Sequence, residues 1–250
     1  RFDGASGRYR LNNQDNIHLL YKQAYALGWI SMDPMDGMKR PNVKLQQPRS
    51  MDLPQVRKLM GLEHTARELA VLHLLVGHGW RQHEVLEMKV SDVRSMERGW
   101  IWCHGKEREE FAPVLPETAD LLRTLISEME DDEQVIGSVR GRQERFGSDG
   151  MRRMVKGLLA RADLTGFTGH NLRDTFATLV ERKAGDLTVS MALIRDKVPG
   201  VASRYVTRDL PALLENYSPI RQIEDGLSPG LTDRGEPGSG NEERGAPGSD

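Results

Sequence analysis

The sequence predicts a mainly α-helical (α+β) fold with one small antiparallel sheet. Apolar residues recur at steps of three and four in most segments, which is the period of an amphipathic helix. Only residues 99–114 alternate between apolar and polar around a charged turn, which is typical of a hairpin. The composition, 38% apolar and 29% charged, is that of a soluble protein. No apolar run approaches the roughly 20 residues that span a bilayer, so we expect no membrane partner.

The first predicted element is a helix over residues 14–28. Its apolar positions follow the helical period, and Gly28 is a stop signal. Residues 34–50 contain three prolines and no period, which indicates an exposed linker. A second folded part starts at residue 51, where Asp52 can cap a helix that has Pro54 in its first turn.

Further helices are predicted along this second part. An apolar helix, "ARELAVLHLLVGHGW", ends at Gly77 and Gly79, and the short helix "QHEVLEM" follows before the hairpin. "PETADLLRTLISEMED" is amphipathic, and residues 131–149 are expected to be a loop. The remaining predicted helices are 150–162, 170–183, 187–195 and 209–216.

Residues 221–250 are rich in Gly, Pro, Ser and acids without aromatic residues, so we expect a disordered acidic tail. The net charge of the whole chain is −2. The tail holds seven acids and three arginines and contributes −4, which leaves +2 for residues 1–220. Within that part, residues 139–161 hold seven basic and two acidic residues, a cluster that fits either a solvated face or a nucleic-acid contact.

The single cysteine, Cys103, cannot form an intrachain disulfide, which favours a reducing, cytoplasmic compartment. The chain starts without Met, and we expect it to be part of a longer protein. His73, His78 and His83 are five residues apart, a step that rotates roughly 140° on a helix. The three therefore do not share a face, and the sequence predicts no metal site and no cofactor.

Four sites hold five candidate residues for chemistry. Arg81 lies between two predicted helices, Lys106 at the hairpin tip, His170 and Arg173 one turn apart on one helix face, and Tyr205 after a short helix and a turn. Each alone also fits an ordinary structural role. Arg81 could pair with Glu84, Lys106 could be solvated, His170 could bond the backbone, and Tyr205 could fill the core with its hydroxyl at the surface.

In order and spacing these positions resemble the tyrosine recombinase (phage integrase) family. "GHGWRQHEVLEMKVSDV" is similar to the box G-L-R-x-S-E-L-x-x-L-x-x-x-D, and "GKEREEFAPVL" to G-K-G-x-K-x-R-x-V-P-L. "HNLRDTFATLV" resembles H-x-L-R-H-T-F-A-T, and the last box, "GDLTVSMALIRDKVPGVASRYV", reaches the family's tyrosine at Tyr205 without a gap. The resemblance implies that 1–33 is the end of a core-binding domain, 34–50 a linker and 51–220 the catalytic domain.

The resemblance also implies cleavage and rejoining of double-stranded DNA through a 3′-phosphotyrosyl intermediate. Tyr205 would be the nucleophile, Arg81 and Arg173 would bind the phosphate, Lys106 would protonate the leaving oxygen, and His170 would accept the tyrosine proton or hold an oxygen. No cofactor, small-molecule substrate or metal is implied, and the family acts as a homotetramer on paired sites, joined by a C-terminal helix for which 209–216 is the candidate. The expected DNA-phosphate contacts are Arg40, Lys44, Arg49, Arg140, Arg142, Arg152 and Arg153.

The last box departs from the family pattern. Arg195 and Asp196 replace its Gly-His (or Gly-Trp), and Lys197 replaces the serine. An ionised Asp only accepts hydrogen bonds and would repel a phosphate. Three outcomes are therefore open: Asp196 turns away to a base such as Arg195 or Arg204, Lys197 supplies the missing donor, or the site is crippled. The functional alternatives are a degenerate DNA-binding remnant of an integrase and a type IB topoisomerase-like enzyme.

Overall fold

The computed structural model describes residues 7–39, 49–105, 109–137, 146–196 and 209–225, with side chains from residue 11 onward. Contacts divide the chain into two units, 1–48 and 49–250. None of the helices in these ranges is both long and apolar enough to cross a membrane.

The first unit contains one long helix, α1 (Gly7–Ala26). It ends near the predicted stop, because Gly28 adopts a left-handed φ of 71° that glycine tolerates without a side-chain clash. The apolar stripe expected on this helix is largely solvent-exposed, including Leu20 and the nearby Trp29.

The second unit begins with two capped helices, α2 (Leu53–Met60) and α3 (Ala66–Leu72). Asp52 caps α2 as predicted: its carboxylate accepts the Gln55 N–H at 2.8 Å, and the Gln55 side chain accepts the Asp52 N–H at 3.0 Å. The predicted apolar helix after residue 66 is not uniform, because its second half is a π-turn over His73–Gly77. This turn leads into the short helices α4 (Gln82–Glu87) and α5 (Val90–Arg94), the second of which was not predicted.

The hairpin is confirmed as a two-stranded antiparallel sheet of β1 (Trp100–His104) and β2 (Glu109–Pro113). Trp100 pairs with Pro113 at one end and His104 with Glu109 at the other. On one face the Trp102 and Phe111 rings meet edge to face, with centroids 4.8 Å apart.

The remaining helices complete two apolar clusters. They are α6 (Pro116–Leu125), α7 (Ser148–Arg161), α8 (Gly169–Ala184), α9 (Leu187–Leu193), α10 (Leu210–Tyr217) and α11 (Pro219–Asp225). The larger cluster joins α2, α3, the π-turn, α4 and α7, and the smaller one joins α8, α9 and α10. Ile223 of α11 is buried in the larger cluster, so the boundary predicted between residues 220 and 221 falls inside a packed helix.

Candidate active site

Arg81 and Arg173 come together although 92 positions separate them in the sequence. Both guanidinium groups donate to the same atom, Oδ1 of Asp196, from Arg81 Nη2 at 2.7 Å and from Arg173 Nη2 at 3.3 Å. Two guanidinium groups that converge on one carboxylate oxygen form an anion-binding site.

Arg81 is positioned by the start of α4. It is the residue before the helix, and the Glu84 carboxylate accepts both its backbone N–H at 2.7 Å and its Nη1 at 2.9 Å. The structural pairing of Arg81 with Glu84 is therefore present, and the second edge of the guanidinium is directed to Asp196. The ion pair with Glu84 therefore leaves the same guanidinium able to bind a second anionic group.

Arg173 is held from the first half of α8. Its side chain is only 7% exposed and donates to the carbonyl oxygens of Gly79 and of Ile194, the second at 2.6 Å. Burial and the neighbouring positive charges of Arg81 and Arg195 lower the pKa of Arg173 to about 10, so it is charged at neutral pH. The guanidinium thus joins the loop before α4 to the end of α9.

Glu84 is the buried centre of the cluster and was not predicted as a site residue from the sequence. Burial by itself raises the pKa of this carboxyl, but Arg195, the Arg81 hydrogen bonds and Arg173 outweigh burial and lower the pKa below its ordinary value. Its position three residues after Arg81, in register with the family's glutamate, was the available signal.

Arg195 is also a buried member of the cluster that sequence reasoning did not place there. It forms an ion pair with Glu84, lies over the Trp80 ring at 5.1 Å and approaches Glu110 Oε1 at 3.8 Å. Close to this cluster, burial raises the pKa of the Cys103 thiol to about 12, so this cysteine is a neutral, unreactive thiol.

Asp196 does not turn away, so the first of the three outcomes left open by the sequence is excluded. Its carboxylate meets Arg81 and Arg173, while Arg195, one of the predicted partners, contacts Glu84. The physical reason is the left-handed turn at Arg195, with a φ of 58°, that ends α9. With this turn the Arg195 side chain is buried on Glu84, and the Asp196 carboxylate meets the other two arginines. Arg204 lies outside the described residues, as does Lys197.

His170 differs from Arg173 in its surroundings although one helical turn separates them. Its side chain is 81% exposed, and its Nε2 lies 3.6 Å from Oδ1 of Asp174. It is not part of the contacts that join Arg81, Arg173 and Asp196. The two other predicted catalytic residues, Lys106 and Tyr205, lie outside the described residues.

Three of the seven residues expected to contact DNA lie within the described residues. Arg49 is exposed and donates to the Gly166 carbonyl at 3.4 Å. Arg152 and Arg153 are exposed on α7, and Arg152 pairs with Asp149 at 3.0 Å. The other predicted contacts lie outside the described residues; they are Arg40, Lys44, Arg140 and Arg142.

The sequence of the second unit matches a known family. The sequence profile of the phage integrase family matches residues 49–207, which is most of the second unit and more than half of the chain. The chain belongs to the phage integrase family. The resemblance seen in the four boxes is thereby confirmed at the level of the family.

Curated relatives are tyrosine recombinases. The chain is 28% identical over 172 residues to tyrosine recombinase XerC of Herpetosiphon aurantiacus, covering 63% of this chain and 55% of the relative. It is 29% identical over 178 residues to tyrosine recombinase XerD of Oceanobacillus iheyensis, covering 66% and 59%. The chain thus spans less than two thirds of the length of these relatives.

Solved structures share the fold. The pre-cleavage complex of the XerH site-specific recombinase with its difH substrate has a TM-score of 0.59 at 18% identity, covering 86% of this chain and 66% of that one. The integrase of mycobacterium phage Brujita has a TM-score of 0.58 at 18% identity, covering 87% and 75%. The predicted tyrosine-recombinase catalytic-domain architecture is therefore confirmed.

Proposed function

We propose that this protein is a site-specific DNA recombinase or integrase that cleaves and rejoins DNA strands through a 3′-phosphotyrosyl intermediate. The observation that carries the proposal is the convergence of Arg81 and Arg173 on one anionic oxygen, at 2.7 Å and 3.3 Å. Family membership supplies the reaction class, and the anion site is where a scissile phosphate would bind.

The two arginines would stabilise the transition state. A phosphodiester already carries one negative charge, and further charge develops on its non-bridging oxygens during transfer. A guanidinium offers two parallel N–H donors to such oxygens, which a lysine cannot do. Since Arg173 is locked by two carbonyl acceptors and Arg81 by Glu84, both donors are positioned before DNA arrives.

The covalent step would be carried by residues assigned from the boxes. The Tyr205 hydroxyl oxygen attacks phosphorus, the bond from phosphorus to the 5′-oxygen breaks, and a 3′-phosphotyrosyl ester forms. His170 takes the tyrosine proton, and Lys106 gives a proton to the leaving 5′-oxygen. A 5′-hydroxyl then reverses the step, so that the ester retains the energy needed for joining and no nucleotide cofactor is required.

Double-stranded DNA would be the partner, and the protein would bind it as a homotetramer on paired sites. The complex would lie in the cytoplasm, at the nucleoid. The helix predicted to be exchanged between subunits, now α10, is packed in its own chain, because Leu210 and Leu214 are buried against α8 and α9. Exchange of α10 would expose that surface, so the proposal requires either that α10 leaves its site on assembly or that another segment is exchanged.

The test is a covalent adduct. The full chain is incubated with a pool of nicked duplexes of randomised sequence, and protein–DNA adducts that resist denaturant are recovered on gels. We expect an adduct with the wild type and none with Tyr205→Phe. Tyr217→Phe is the matched control, since Tyr217 packs against the smaller apolar cluster and should leave the adduct unchanged.

A degenerate DNA-binding remnant is the second candidate, and Asp196 is the observation that favours it, because an acid replaces the family's His or Trp. The two candidates separate in the same assay. DNA binding by the wild type without any adduct would reject the enzyme and leave the remnant. An adduct that persists in Tyr205→Phe would instead reject Tyr205 as the nucleophile.

A further inference from the structure

Asp196 occupies the place that the proposed function gives to a DNA phosphate. Its Oδ1 accepts from Arg81 and from Arg173, the same two donors. We propose that Asp196 is an internal competing anion: in the free protein its carboxylate fills the two-arginine site, and a DNA phosphodiester must displace it. This inference rests on the proposed function and adds a resting, self-occupied state to it.

The position of Asp196 is built into the backbone. After α9 the Arg195 N–H bonds the Ala192 carbonyl at 3.0 Å, and the Asp196 N–H bonds the Met191 carbonyl at 2.9 Å. These are the two bonds of a Schellman helix end, with Arg195 in the left-handed position at a φ of 58°. Because Arg195 is in turn fixed by Glu84, the next residue is delivered to Arg81 and Arg173.

The charges balance in the occupied state. The described contacts join three guanidinium groups, of Arg81, Arg173 and Arg195, with three carboxylates, of Glu84, Glu110 and Asp196. Without the Asp196 charge this set carries +1, which matches the single negative charge of a phosphodiester. Within these six groups, a phosphodiester on the two arginines therefore supplies the same charge as the carboxylate that it displaces.

The site is also accessible to a competitor. The Asp196 side chain is 44% exposed and that of Arg81 is 38% exposed. Water reaches and screens ion pairs in such partly solvated positions, so the carboxylate is displaceable. The buried member, Arg173, stays in place through its carbonyl bonds whichever anion is bound.

Inorganic phosphate is the probe. The change is Asp196→Asn, which keeps the shape of the side chain and removes its charge. We expect the Kd for phosphate, measured by calorimetric titration at constant ionic strength, to fall at least about tenfold relative to wild type. In phosphate-free buffer the variant should also have a lower Tm, because the arginines lose a counter-charge, and added phosphate should restore it.

Asp120→Asn is the matched control, because Asp120 is an exposed acid that also pairs with an arginine, Arg123, at 2.9 Å on α6. It should leave the Kd for phosphate unchanged. Asp196→Ala should lower the Kd for phosphate in the same way as Asp196→Asn. Adding Arg81→Gln to Asp196→Asn should abolish this increase in affinity. Equal phosphate affinity in the wild type and in both Asp196 variants would overturn the inference, as would an equal gain in Asp120→Asn.

The adduct assay keeps this inference separate from the proposed function. Tighter phosphate binding by Asp196→Asn together with faster adduct formation supports the competing anion and the proposed function. Tighter phosphate binding without an adduct in any variant supports the competition at the arginines and rejects the covalent chemistry. An adduct in the wild type without tighter phosphate binding by Asp196→Asn supports the proposed enzyme and rejects the competing anion.

Discussion

Arg195 adopts a backbone conformation that non-glycine residues rarely take. Its φ of 58° is left-handed. The left-handed residue of a Schellman helix end is typically glycine, and glycine is the residue that the family's last box has there. The left-handed conformation costs a residue with a Cβ roughly 1–2 kcal/mol. We expect the buried ion pair with Glu84 and the contact with Trp80 to offset this strain.

This balance is tested by two substitutions at one position. Arg195→Gly and Arg195→Ala both remove the guanidinium and leave Glu84 with fewer partners, so both should lower the free energy of unfolding. Only alanine retains the left-handed strain, and Arg195→Gly should therefore be more stable than Arg195→Ala by about 1 kcal/mol. Urea denaturation measures the difference, and an alanine variant as stable as the glycine variant would contradict the strain.

At the scale of elements, the loop between the π-turn and α4 positions both arginines. Gly79 adopts a φ of 66°, and its carbonyl accepts from Arg173. A Cβ at this position would lie 2.5 Å from Phe176 Cδ1 and 2.9 Å from Ile194 Cγ2. The close approach of α8 and of the end of α9 to this loop therefore requires glycine.

Gly79→Ala should lower the free energy of unfolding by roughly 2–5 kcal/mol, from the strained φ and the overpacking together. Gly157→Ala is the matched control. Gly157 lies inside α7, where a Cβ would meet nothing within 4 Å, and alanine there should raise stability by about 0.5–1 kcal/mol. Thermal or urea unfolding of the pair checks both signs, and a neutral Gly79→Ala would contradict the packing of this loop.

His78 links the π-turn to the start of α6. Its Nε2 accepts the Leu115 N–H at 3.0 Å, so Nδ1 carries the proton and donates to the His73 carbonyl at 2.8 Å. Burial lowers the pKa of His78 to about 3, and burial lowers the pKa of His73 to about 4. A second proton on His78 would break the bond to Leu115.

The two histidines predict acid sensitivity. Because their folded-state pKa values lie below the ordinary value of 6.5, the unfolded state binds more protons in acid. The contribution of the two neutral histidines to the free energy of unfolding is therefore complete above about pH 6.5. It is lost as the pH falls, by up to about 1.4 kcal/mol per pH unit for each histidine between pH 6 and pH 4.

Urea denaturation of His78→Gln across this range should show a smaller pH slope than the wild type, whatever its absolute stability. His18→Gln, a change at an exposed histidine of α1, is the control and should keep the wild-type slope. An unchanged slope in His78→Gln would show that His78 does not bind the extra proton on unfolding.

For the molecule as a whole, the net charge of −2 means that the DNA binding we propose would have to come from local basic surfaces. Arg152 and Arg153 form one such exposed surface on α7. Phosphate contacts release counterions from DNA, so each contact adds a slope of about −0.9 to log K against log salt.

Replacing Arg152 and Arg153 with Gln should therefore reduce the steepness of the salt dependence by up to about 2. The measurement is fluorescence anisotropy of a labelled duplex between low and moderate salt. Arg123→Gln, which removes one exposed arginine of α6, should leave the slope unchanged. A slope that stays the same in the double variant would place the DNA contact on another face.

The sequence by itself determined the family, the hairpin and most of the helices. These features depend on short-range signals: apolar periodicity, the Asp52 cap, the alternation around the charged turn and the spacing of the four boxes. The π-turn, α5 and α11 were missed because they are short or carry a helical pattern that gives no sign of a changed hydrogen-bond period.

Only the tertiary structure decided what surrounds the two arginines. The sequence placed Asp196 beside Arg195 and left open that it would turn away from the phosphate site. The fold instead ends α9 in a left-handed turn at Arg195, buries Arg195 on Glu84 and places Asp196 on Arg81 and Arg173. Such a charge arrangement depends on contacts between residues up to 115 positions apart, which no local pattern contains.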